Sequence, residues 1–222
     1  MLATIGFIAA AVLLLIFGGM FIWLVRDSEE PMYNFGLAYI VVAIAFLMWG
    51  VLSLINGIGL LIASIVLGDG LLISASMAAV SIVIPHGLKI ASYILFCILM
   101  FIMLYMRITY YYPSPSFDNG LLIFNTPHAV AVTLSVILAL AWLPACLKAA
   151  RAITTRYNLQ RFYALYISTY ALPVVCAALF IEARRPAIII ATFVAFCISV
   201  LMMVVSNVVA VMNNTGAGDG AE

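Results

Sequence analysis

Residues Phe35–Ile84 read FGLAYIVVAIAFLMWGVLSLINGIGLLIASIVLGDGLLISASMAAVSIVI, about 50 residues carrying a single formal charge, Asp69. One bilayer crossing takes about 20 apolar residues. The run is therefore too long for one span and must be broken. Two breakers are visible. Asn56-Gly57-Ile58-Gly59 holds the Asn-Gly pair that turns favour, because both residues tolerate positive φ. Gly68-Asp69-Gly70 is the other, either as a tight turn or as a place where a helix unwinds.

Other spans lie on both sides of this run. Ala3–Val25 is apolar and ends at Trp23 and Arg26, an interfacial aromatic beside a charge that reaches the headgroups. It lacks the basic start and the cleavage site of a signal peptide, so it is expected to be retained as a membrane helix. An acidic turn, Asp27-Ser-Glu-Glu-Pro31, follows. Beyond Pro85-His86-Gly87, further spans are Leu88–Tyr112, Pro127–Leu147, Phe162–Ile181 and Ala187–Met212. Tyr110-Tyr111-Tyr112 forms an interfacial belt, and Pro144 and Pro173 are expected to kink their helices. The tail 213–222 is polar and glycine-rich, hence expected to be disordered. Residues 1–212 read as a single transmembrane domain.

Composition agrees. The chain has 222 residues, 68% hydrophobic and only 8% charged, too little polar surface to cover a globule in water. The polar stretches Arg26–Asn34, Pro113–Thr126 and Lys148–Arg161 are too short to bury cores of their own, so no nucleotide-binding or catalytic domain hides between the spans. A net charge of +1 gives no reason to propose nucleic acid as a partner. Cys97, Cys146, Cys176 and Cys197 lie in or beside apolar segments without Cys-x-x-Cys spacing and read as small buried residues.

The reading is an all-α, polytopic transmembrane bundle. Lys148, Arg151, Arg156 and Arg161 crowd one short loop, which the positive-inside rule puts in the cytoplasm together with the C-terminus. If Leu60–Ile84 crosses, there are seven spans and the N-terminus is outside. Six cations (Arg26, Lys89 and those four) then face three (Arg107, Arg184, Arg185). If it re-enters as a hairpin, there are six spans and the balance narrows to five against four. Seven is favoured.

Asp69, flanked by Gly68 and Gly70, is the leading site candidate. A carboxylate at mid-bilayer costs about 2.5–3.5 kcal/mol on insertion scales, so such groups tend to serve an ion or proton pathway. A turn exposed to water, or a structural bond to a neighbouring helix, competes with that reading. His86 and Lys89 sit one helical turn apart and read first as an interfacial anchor. Glu182 and Arg185 are spaced to pair at the outer surface, and Asn207 needs a hydrogen-bond partner from another helix. The basic connection suits an anionic leaflet or a docking partner. Gly18-Gly19 and the stretch Ser74–Ser81 offer close helix approach.

His86 and His128, the only histidines, are separated by one span and cannot readily share one haem iron. Haem anchoring is thus a minor reading, and neither cofactor nor metal is expected. No lysine stands in the last span for a retinal Schiff base, and no Gly-x-Ser-Gly, paired intramembrane aspartates or His-Glu-x-x-His is present. These absences argue against an enzyme. The remaining classes are a non-catalytic subunit of a membrane assembly, whose partners are lipid and other membrane helices, and a small ion, proton or solute transporter built on Asp69. The thin inventory of intramembrane polar groups favours the subunit.

Overall fold

The computed structural model describes residues 2–26, 32–52, 58–109, 116–118, 121–123, 128–183 and 185–218. Side-chain surroundings are described outside 2–3, 58–66, 100, 103–104, 107–109, 116–118, 121–123, 181–182 and 214–218. Seven α-helices occupy these residues: α1 (Leu2–Leu24), α2 (Tyr33–Leu52), α3 (Ile58–Val80), α4 (Lys89–Thr109), α5 (His128–Arg156), α6 (Tyr163–Glu182) and α7 (Pro186–Gly218). A short hairpin, β1 (Ser116–Asp118) against β2 (Leu121–Ile123), lies between α4 and α5 in sequence.

Five of the helices are long and apolar enough to cross a membrane: Thr4–Leu24, Tyr33–Leu52, His128–Arg156, Gln160–Phe180 and Pro186–Asn213. Leu67–Val80 and His86–Leu99 are shorter apolar helices within the described residues. The outward faces carry Ile5, Ile90, Phe101, Leu140 and Leu201, all exposed. An apolar surface this extensive is that of a membrane-embedded protein, whose helices must satisfy their own backbone in lipid.

Helix neighbours close a ring. α1 packs on α2, α2 on α3, α3 on α5, α5 on α6, α6 on α7, and α7 returns to α1. α4 stands outside this ring, packed mainly on α3. The tightest crossing is between α1 and α2, where a Cβ on Gly18 would lie 2.7 Å from the Gly36 carbonyl oxygen, and one on Gly36 would lie 2.7 Å from that of Gly18. Small residues supply this approach, which lipid cannot drive hydrophobically. Gly19, its sequence neighbour, faces open space.

The core centres on six aromatic rings from α1, α2, α5 and α6: Phe17, Phe21, Phe35, Tyr39, Trp142 and Tyr170. Phe17 meets Tyr39 edge to face at 4.7 Å, and Tyr39 meets Trp142 at 5.0 Å and 85°. Each such pair adds about 0.5–1.5 kcal/mol beyond simple burial.

α2 ends at Leu52 and α3 begins at Ile58, with Asn56-Gly57 outside the described residues. Two expectations are corrected. Gly68-Asp69-Gly70 is neither a turn nor an unwound segment: α3 passes through it unbroken. Away from water, an opened turn would leave N–H and C=O groups unsatisfied, which outweighs the low helix propensity of two glycines. The basic connection is also largely helical, because α5 continues to Arg156. It ends where Asn158 adopts φ 54°, with Leu159 N–H on the Thr154 carbonyl at 2.7 Å and Asn158 N–H on that of Thr155 at 3.4 Å. That is a Schellman closure, and buried Leu159 is its apolar clasp.

At the far end, the α7 backbone is helical to Gly218, past Met212; residues 219–222 lie outside the described ones. Both α5 and α6 continue through their prolines, Pro144 and Pro173.

Candidate functional site

Asp69 is 3% exposed, eleven residues into α3. The glycine before it has a packing reason: a Cβ on Gly68 would lie 2.5 Å from Trp49 Cζ2, so only glycine lets the α2 indole rest on α3. Gly70 faces open space. The carboxylate is thus held on an intact helix beside a close interhelical contact. Among the described residues, no group of three His, Cys, Asp or Glu side chains is placed to hold a metal ion.

The other buried polar groups tie helices together. Trp142 Nε1 on α5 donates to Ser76 Oγ on α3 at 2.9 Å, while Ser76 Oγ donates to the Leu72 carbonyl at 2.8 Å. Asn34 Nδ2 at the start of α2 donates to Ser81 Oγ, just beyond the end of α3, at 2.9 Å. Asn207, fully buried on α7, accepts from Tyr170 Oη on α6 at 2.5 Å. Its partner is therefore a tyrosine of the adjacent helix. Asn207 Nδ2 and Tyr39 Oη meet no hydrogen-bond partner among the described residues. Tyr39, Trp142 and Pro173 border a central cavity of about 40 Å³ whose other walls are aliphatic or Phe196.

The basic residues gather at one end. Lys148, Arg151 and Arg156 line a groove of about 720 Å³, whose walls also include Val25, Met32, Pro144 and Tyr163. The three cations share one face of the C-terminal part of α5, and Arg156, in the last turn, meets the negative end of the helix dipole. Val25 and Met32 bring the C-terminal end of α1 and the start of α2 to the same place. Tyr157 Oη donates to the Leu24 carbonyl at 3.5 Å, joining the ends of α5 and α1. Arg161 is not in this groove; its guanidinium lies 4.8 Å from the centre of the Phe162 ring.

The remaining candidates are scattered. His86 is exposed in a 3-10 turn, and Lys89 opens α4 half-buried. Arg185 is exposed, and its carbonyl accepts from Ile188 and Ile189 at the start of α7. The Glu182 side chain and Arg184 lie outside the described residues, as do the acidic turn 27–31 and Tyr110-Tyr111-Tyr112.

Sequence reading missed Tyr170, Trp142 and Ser76 as interhelical partners, since a hydroxyl or indole in an apolar run carries no positional signal. It also missed Asn158, whose residue type after a basic helix end was a usable capping signal. No family model matches the chain, and neither a curated protein nor a solved structure does.

Proposed function

We propose that the chain is a non-catalytic, seven-span subunit of a membrane assembly, with its basic end and C-terminus in the cytoplasm and its N-terminus outside. The observation carrying this reading is the use of the interior polar groups. Ser76–Trp142, Asn34–Ser81 and Tyr170–Asn207 are interhelical bonds rather than the walls of a wet path. The central cavity has room for about one water and is bordered by apolar surface. A solute pathway needs polar groups facing a continuous opening; a scaffold needs its helices locked together.

Parity favours seven crossings over six. The end of α1 and the end of α5 meet at one groove and through Tyr157, so the chain between them crosses an even number of times. α2, α3, α4 and α5 make four; a re-entrant α3 would leave three. At 23 residues, α3 is about 35 Å long, enough to span the hydrocarbon.

Asp69, 3% exposed at mid-helix, favours a second reading as an ion or proton transporter. The test is reconstitution together with pull-down from mild detergent. The subunit reading expects no ion-dependent flux in proteoliposomes, no change on Asp69→Asn, and stoichiometric membrane partners in the pull-down. Flux that disappears in Asp69→Asn at normal expression would replace it with transport. Topology is checked in a background with the four cysteines changed to alanine. Ser28→Cys and Gln160→Cys should label from the same side; labelling from opposite sides restores the six-span arrangement.

A further inference from the structure

Between α6 and α7 runs an outward-facing groove of about 400 Å³, bordered by Leu159, Phe162, Tyr166, Ile198, Val205 and Val209 among others. Three of its lining residues carry hydroxyls, and each donates to a backbone carbonyl: Tyr166 Oη to Ser206 at 2.7 Å, Thr169 Oγ1 to Leu165 at 2.8 Å, and Ser206 Oγ to Met203 at 2.8 Å. The walls are consequently dry.

We infer that this groove seats one acyl chain of an anionic phospholipid from the cytoplasmic leaflet, with Arg161 holding the phosphate. Length selects the occupant. The groove follows α7 from Ile198 to Val209, about 16 Å at 1.5 Å per residue, which is half the roughly 30 Å hydrocarbon core. A partner's transmembrane helix would need a seat of full thickness; an acyl chain occupies one leaflet. Charge selects the headgroup. Arg161 stacks on Phe162, a wall residue at the end of the groove that the topology assigns to the cytoplasmic surface. A cation at that level attracts anionic lipid, and each buried methylene adds to retention.

A second groove of about 410 Å³ between α5 and α6 serves as an internal comparison. Val132, Val136, Val175 and Leu179 line it.

This inference rests on the proposed sidedness only in naming the leaflet. Native mass spectrometry in micelles, where sidedness is absent, therefore tests the seat separately from the Gln160→Cys labelling. Equal phosphatidylglycerol and phosphatidylcholine are added to the full chain. Wild type is expected to retain one phosphatidylglycerol in preference. Arg161→Gln, a surface change that leaves the bundle intact, should reduce that preference about fivefold, the weight of one cation at headgroup level. Val205→Trp, at a lipid-facing wall position, should abolish retention, and Val136→Trp in the comparison groove should leave it unchanged. No bound lipid in wild type overturns the inference. So does undiminished preference in Arg161→Gln, or a Val205→Trp variant that releases a protein partner instead of a lipid.

Discussion

Tyr170 on α6 donates its phenolic hydrogen to Asn207 Oδ1 on α7 at 2.5 Å, and both side chains are fully buried. Tyr170 also belongs to the aromatic centre, stacking on Phe35 at 6.0 Å and 26°. One side chain therefore couples the α6–α7 pair to α2. Interhelical bonds of this type average about 0.6 kcal/mol and reach about 1.7 in membranes. Tyr170→Phe is expected to lower stability within that range, measured by unfolding in mixed micelles. Because it strands the buried amide, adding Asn207→Leu should recover part of the loss. A Tyr170→Phe protein as stable as wild type would refute the bond's contribution.

Gly18 and Gly36 face each other's carbonyl oxygens, and a backbone atom cannot rotate aside. Gly18→Ala and Gly36→Ala are each expected to cost about 1–3 kcal/mol, as overpacking does. Gly19→Ala, with open space around it, should be neutral or slightly stabilising. Thermal retention of a monodisperse elution peak ranks the three. Equal behaviour of positions 18 and 19 would contradict the crossing.

Gly68 and Gly70 separate in the same way. An alanine at Gly68 displaces the Trp49 ring, whereas one at Gly70 meets nothing. Gly68→Ala should shift the Trp49 fluorescence spectrum and destabilise by about 1–3 kcal/mol. Gly70→Ala should do neither. With Trp23 and Trp142 replaced by phenylalanine, the emission reports Trp49 alone.

Asn158 holds a left-handed conformation at the end of α5, φ 54°. Asn158→Gly should be tolerated and Asn158→Val should cost about 1–2 kcal/mol, since a β-branched side chain resists that region. Amide hydrogen exchange over residues 154–162 provides the readout. Unchanged protection in the valine variant would exclude a controlling role for this cap.

Legibility from sequence followed the range of the interaction. Trp23 and Arg26 marked the end of α1, and the Arg26 guanidinium does lie 5.7 Å from the Trp23 ring centre. The close approach at Gly18 was readable as a small-residue signal, but its pairing with Gly36 was not, because the partner lies on another helix. Gly68-Asp69-Gly70 misled for the opposite reason: its local propensity is that of a turn, and the dry surroundings overrule propensity. The basic connection was read as a loop because charge set its topology, whereas a capping residue ten positions after Lys148 set its conformation.

Hydropathy alone determined that the chain builds apolar helices for a bilayer, since span length and backbone satisfaction are local demands. Which helices form the ring, that α4 stands outside it, and which hydroxyls meet which amides were decided by tertiary packing. So was the gathering of Lys148, Arg151 and Arg156 beside the end of α1. In lipid, every apolar helix face is equally content with solvent, and only shape and a few buried hydrogen bonds choose its neighbour.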